Sequence, residues 1–277
     1  MSSTYNPQPD LPREMGSEPP QATAPPPQFD HAPQENPVWN GWDVLRIAVI
    51  ALATLSLFGG LAVAVASKVT SHWKSLGDLT RDALIIIPAQ LLSYAIVFAF
   101  MYVVVTRVHR QPFWPAVRWN WPRRAWIGFA GIGVGLAILV PIISSHLPIP
   151  KSLPIDQMFR SAADAYAMMI FGVLVAPFME ELFFRGFLYP VLVRRLGVIV
   201  SVILTAATFA LIHSSQLGRS WSALLIIFIV GLVLTITRAV HKSVAASWLA
   251  HMAYNGTLSL LLFIGTGGFR HMERLTQ

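Results

Sequence analysis

Glu180 and Glu181 stand side by side in the apolar run Ala176 to Phe187, APFMEELFFRGF, and Arg185 follows four residues after the second. The chain has 13 acidic residues, and this pair is the whole acidic content between Asp164 and Glu273. A charged side chain at bilayer depth costs about 2.5–3.5 kcal/mol on insertion scales, so such groups face a protein interior or a water-filled cavity and mark a function. Residues four apart on a helix share a face. Glu181 and Arg185 are therefore expected to pair, while Glu180 points about 100° away with Phe184 on its face. Two more pairs carry the same spacing in later apolar segments: Phe209 with His213, and His251 with Asn255.

A carboxylate, two imidazoles and an amide on three apolar segments converge only if the helices pack around a polar cavity. Such a cavity suits water activation. Glu180 would serve as general base, the histidines would hydrogen-bond the water, and Asn255 would be a neutral oxyanion donor. Taken singly, each feature also fits packing, because His and Asn bond between membrane helices and a Glu–Arg pair can fix a crossing. A metal stays open on the residues alone: Glu180, His213 and His251 could hold zinc with a fourth position free. No His-Glu-x-x-His pair is present, which excludes a zincin pattern. Ser214 and Ser215 follow His213, but the last spans offer no buried Asp to complete a triad. The chain has no cysteine, so a disulfide, a thiolate nucleophile and Cys-ligated zinc are all excluded.

The elements that must position these residues read as membrane helices. The 277 residues are 55% hydrophobic and 12% charged, half the charge of an average soluble domain at about 25%. Apolar runs suited to crossing a bilayer cover Val44 to Ala66, Ala83 to Val105, Trp126 to Ser144, Ala162 to Val193, Val198 to His213, Trp221 to Thr237 and Val244 to Ile264. The expected fold is all-α, a polytopic membrane helix bundle of about seven to eight transmembrane helices. The run Ala162 to Val193 contains Pro177 and reads equally as one long helix or two. Gly131 and Gly135 in the third span have the small-xxx-small spacing that allows close helix packing.

The net charge of +7 raises nucleic acid as a partner. The basic residues instead sit in short loops between apolar spans, as lipid head groups and orientation require. Arg107, Arg110, Arg118, Arg123 and Arg124 share one loop with Trp114, Trp119 and Trp121. That loop is expected in the cytoplasm, with the amino terminus inside a multi-pass cell membrane protein. No nucleic-acid partner is expected. Residues 1–40 hold 10 of the 20 prolines, five acidic residues and one basic residue, Arg13. This composition predicts a disordered cytoplasmic tail; the alternative for Pro25, Pro26 and Pro27 is a polyproline ligand for a partner. Residues 41–277 then form the transmembrane domain, with the motif region at 162–264.

Glu-Glu-x-x-x-Arg at 180–185, Phe-x-x-x-His at 209–213 and His-x-x-x-Asn at 251–255 together resemble the CPBP family of intramembrane proteases, the CAAX-protease and bacteriocin-processing group. Phe184-Arg185-Gly186 fits the family as well. The resemblance covers about the last 40% of the chain, Ala162 to Ile264. It implies an intramembrane endopeptidase that cleaves near the membrane surface in a bacterial cytoplasmic membrane. Glu180 would activate the water and His213 would hold it. His251 and Asn255 would stabilise the oxyanion, and Glu181 with Arg185 would orient the site. Phe209 would support it. No cofactor is expected on the glutamate-based reading; zinc is the alternative. The substrate is an unidentified peptide or protein. The competing class is a non-proteolytic membrane scaffold or immunity protein that retains the polar cluster. Relatives often carry a further helix after the His-x-x-x-Asn span, and the 13 residues after Ile264 are too few to supply one.

Overall fold

The computed structural model describes residues 1–4, 36–69 and 75–271. Contacts divide the chain into two units, Met1–Gln34 and Glu35–Gln277. Of the first, only residues 1–4 are described, and they are exposed. The rest of the expected tail lies outside the described residues, apart from its last five. Within those five, Trp39 is wholly buried. Its ring stacks on Phe187 at 4.6 Å and its indole N–H donates to the Phe187 carbonyl at 3.0 Å.

The second unit is all-helical among the described residues. Helix α1, Gly41–Val69, begins where the Asn40 side chain accepts the Trp42 and Asp43 amides and Asp43 returns an oxygen to the Asn40 N–H. This reciprocal bonding satisfies first-turn donors that have no partner inside the helix. A short α2, Leu76–Leu79, leads to α3, Ala83–Val103, capped by Asp82. Pro88 lies inside α3, in its second turn, where it has no N–H for the Leu84 carbonyl. A π turn, Val104–Val108, and the short α4, Phe113–Ala116, precede α5, Trp126–Ser144.

The motif-bearing stretch is continuous helix with two wide turns. Helix α6, Ala162–Ile170, opens on a Ser161/Asp164 capping box. A π turn, Phe171–Val175, joins it to α7, Ala176–Glu181. A second π turn, Leu182–Leu188, joins that to α8, Tyr189–Ile212. Each π turn is followed at the same offset by a proline. The Ala176 N–H reaches back five residues to the Phe171 carbonyl, and Pro177 comes next; the Tyr189 N–H reaches back to Phe184, and Pro190 comes next. A proline has no N–H to continue the ladder and its ring crowds the carbonyl four residues back, so the helix widens there. The choice left open for 162–193 resolves as one run. The break comes later, at Gly197, whose φ of 75° is open to glycine at little cost. Helix α9, Trp221–His241, and α10, Val244–Gly265, complete the bundle.

Five helices among the described residues are long and apolar enough to cross a membrane: Gly41–Val69, Ala83–Val108, Trp126–Ser144, Ala162–Ile212 and Trp221–His241. The expected fourth and fifth spans lie on either side of Gly197 in one of these. The expected seventh is α10, which is 22 residues long but falls outside the five. It carries His251, Tyr254 and Asn255, which lower its hydropathy. The outer faces are apolar, with Leu57 at 63% and Ile199 at 77% exposure, as a lipid-facing surface requires.

Helix α10 organises the interior. It packs along α5 and touches α9, α7 and both π turns of the motif stretch, while α8 packs along α9 and α1 along α3. The α5–α10 approach depends on Gly133, not on the Gly131 and Gly135 pair expected from spacing. A Cβ at 133 would collide with the Ala250 carbonyl and the Tyr254 amide, whereas a Cβ at 131 or 135 would meet open space. Spacing identified the right helix but could not tell which of its faces meets a neighbour.

Candidate active site

The adjacent glutamates have different environments because adjacent helical positions point in different directions. Glu181 is wholly buried and bonded by three side chains. Its Oε1 accepts from Arg185 Nη1 and from His251 Nδ1, each at 2.9 Å. Its Oε2 accepts from the Ser247 hydroxyl at 2.5 Å. Arg185 is equally buried. Besides Glu181 it donates through Nε to Thr235 at 3.2 Å and through Nη2 to the Gly231 carbonyl at 3.0 Å. Each partner stands on a different helix from the pair, so the ion pair ties the motif stretch to α9 and α10.

Glu180 faces a cavity of about 510 Å³ with its side chain 15% exposed. His213 Nε2 lies 3.9 Å from one of its oxygens and His251 Nε2 lies 3.8 Å from the other. Both separations exceed a direct hydrogen bond. The opposite nitrogens fix the imidazoles. His213 Nδ1 lies 2.8 Å from the Phe209 carbonyl, and His251 Nδ1 lies 2.9 Å from the Glu181 carboxylate. A carbonyl and a carboxylate can only accept, so both Nδ1 atoms carry the proton and both Nε2 edges turn to Glu180.

Phe209 sits among these groups. The Arg185 guanidinium lies 4.6 Å from its ring centroid, and the rings of Phe184, His213 and His251 lie at 5.3, 4.9 and 5.7 Å. Phe209 thus holds the cation on its ring face and supplies the backbone carbonyl that orients His213.

Asn255 stands apart from the carboxylates. Its Nδ2 donates to the Gly172 carbonyl at 2.7 Å. The π turn explains why that carbonyl is available. Ala176 has bonded to Phe171, and Pro177 has no N–H for Gly172. Asn255 supplies the missing donor from α10.

The structure therefore brings Glu180, Glu181, Arg185, His213, His251 and Phe209 into one cluster and sets Asn255 beside it. Ser247, Thr235 and the Gly231 carbonyl also belong to the cluster, and the sequence reading missed them. Ser247 precedes His251 by four residues and shares its face, which was the available signal. For zinc, Glu180, His213 and His251 have suitable donor chemistry. Among the described residues, however, no group of three or more His, Cys, Asp or Glu is arranged to hold a metal ion.

The cavity also gives a role to helices that carry no motif. Leu52 and Leu55 of α1 and Gln90, Tyr94 and Met101 of α3 line it together with Glu180 and His213.

Residues 162–257 match the family model described as Rce1-like, type II CAAX prenyl endopeptidase Rce1-like. The matched stretch contains all the motif residues and is consistent with a protease of the CPBP family. No curated protein matches the chain, and no solved structure does. The five apolar helices and the match together support a multi-pass membrane protein, and the match indicates a CAAX-type protease.

Proposed function

We propose that this protein is an intramembrane endopeptidase in which Glu180 activates the water that attacks a peptide bond. The observation that carries this reading is the approach of two Nε2 edges to the two oxygens of a single cavity-facing carboxylate. A water bonded to Glu180 and His213 would pass a proton to Glu180 as its oxygen attacks the carbonyl carbon. Glu181 would stay out of the chemistry and hold His251, which in its imidazolium form would donate from Nε2 to the developing oxyanion. Asn255 has one amide hydrogen on Gly172 and a second left for substrate.

The family description names prenyl endopeptidases, so peptides ending in a prenylated cysteine and three further residues are the substrate class to examine first. The basic loops support an amino terminus on the cytoplasmic side of the membrane. The reading uses no cofactor. The test is cleavage of such peptides, prenylated and bare, by detergent-purified protein and by Glu180→Gln, each with and without a strong chelator. Cleavage that survives the chelator and is lost in the variant supports the glutamate mechanism. Cleavage abolished by the chelator sinks it in favour of zinc on Glu180, His213 and His251.

A further inference from the structure

The cavity that holds Glu180 and His213 has a second polar group on its α3 wall. Gln90 and Tyr94 are four residues apart on one helical face, and both line the cavity. The Gln90 amide donates to the Tyr94 hydroxyl oxygen at 3.0 Å. That bond uses the oxygen of the phenol and leaves its single O–H to be donated. The ring is fixed from the other side, where it stacks on Phe171 at 5.9 Å with the planes 18° apart. Phe171 opens the π turn whose Gly172 carbonyl is held by Asn255. Tyr94 is thereby registered against α10, on the wall of the cavity that Glu180 also lines.

An oxyanion donor must have a hydrogen to spare inside the cavity where the base stands. His251 commits its Nδ1–H to Glu181, and Asn255 commits one amide hydrogen to Gly172. The geometry points to Tyr94 as a further catalytic residue, donating its O–H to the carbonyl oxygen of the scissile peptide bond, with Gln90 as the positioning residue. This rests on hydrolysis at Glu180. As the water oxygen bonds to the carbonyl carbon, Glu180 takes a water proton and the carbonyl π pair moves onto oxygen. Tyr94 stabilises that oxyanion by a hydrogen bond and keeps its own proton. The pair then returns, the C–N bond breaks, and Glu180 gives its proton to the leaving nitrogen.

The experiment measures kcat, KM and thermal midpoint of the full chain on a prenylated peptide for wild type, Tyr94→Phe, Tyr94→Leu, Gln90→Leu and Glu180→Gln. Tyr94→Phe removes the hydroxyl and keeps the ring that stacks on Phe171. It is expected to lower kcat by about 10²-fold, as loss of one oxyanion donor does, with KM within about threefold and an unchanged midpoint. Gln90→Leu is expected to lower kcat by about tenfold through a misdirected hydroxyl. A Tyr94→Phe kcat equal to wild type, or impairment in Tyr94→Leu alone, overturns the proposal and leaves the ring as a packing element. A kcat loss that comes with a lowered midpoint overturns it as well. Glu180→Gln reads separately, since full activity there removes the hydrolytic reading itself whatever the Tyr94 variants do.

Discussion

His251 spans the two adjacent glutamates, with Nδ1 2.9 Å from Glu181 Oε1 and Nε2 3.8 Å from Glu180 Oε2. One ring thus links a structural carboxylate to a cavity-facing one. The structural carboxylate sets the orientation in which the ring meets the other. Glu181 is in turn fixed by Arg185 and Ser247, so the chain of positioning runs from α9 through the ion pair to the imidazole.

This arrangement predicts opposite signatures for neighbouring substitutions. Glu180→Gln removes a partly exposed carboxylate with no hydrogen bond shorter than 3.8 Å to either imidazole. It should abolish cleavage and leave the thermal midpoint in detergent unchanged. Glu181→Gln leaves the buried Arg185 guanidinium without its charge partner, a change that costs about 3–5 kcal/mol. It should lower the midpoint sharply. Equal midpoints for the two variants would mean that the division between structural and chemical glutamate is wrong.

Ser247 offers a milder probe of the same network. Ser247→Ala removes the donor to Glu181 Oε2, and an unsatisfied buried acceptor costs about 1–3 kcal/mol. The expected result is a modest fall in midpoint, smaller than for Glu181→Gln, with kcat reduced in proportion to how far His251 is released. Calorimetry and turnover on the same preparation check it, and a midpoint equal to wild type would show that Glu181 is held without Ser247.

Much of this site was legible in sequence because helical spacing maps directly onto faces. Glu181 with Arg185 is the clearest case: both charges lay in an apolar run, and each needed the other. The split between Glu180 and Glu181 followed from the same geometry. Ser247 and Thr235 were less legible, since a hydroxyl on an apolar helix can satisfy itself on its own backbone, as Thr237 and Thr257 do. Trp39 was hidden by its neighbours, because composition averages over a window and a proline-rich segment masks one anchoring indole. The cavity walls on α1 and α3 were invisible for a different reason. Their residues carry no motif, and only tertiary packing brings Tyr94 to the cavity that Glu180 lines.

The glycines of α5 give a prediction on packing alone. Gly133→Ala places a methyl group against the backbone of Ala250 and Tyr254. Backbone cannot yield as a side chain does, so α5 and α10 must separate and the midpoint should fall by an amount typical of overpacking, about 1–3 kcal/mol. Gly131→Ala and Gly135→Ala meet nothing within 4 Å and should be neutral or slightly stabilising, since alanine favours helix. A thermal scan of the three variants decides it, and equal losses at all three positions would put the helix contact on another face.

The partnership of Asn255 with Pro177 can be tested by a double-mutant cycle. The Gly172 carbonyl takes its hydrogen bond from Asn255 at 2.7 Å, and it needs one from outside because Pro177 has no N–H. Asn255→Ala should therefore leave a part-buried carbonyl without that donor and cost at most about 1–3 kcal/mol, the range for a fully buried group. Pro177→Ala restores a backbone N–H at the position next in line for that carbonyl. In that background the loss of Asn255 should cost less, with a coupling of about 0.5–3 kcal/mol, the range for residues that share one network. Midpoints of wild type, both single variants and the double variant give the coupling directly. If Asn255→Ala costs the same with proline as with alanine at 177, the amide is not standing in for a missing backbone donor. Its place in the motif would then rest on contact with the substrate instead. Turnover of the double variant separates these roles further: a stability restored without activity assigns the second amide hydrogen to the reaction, while recovery of both assigns Asn255 to the helix alone.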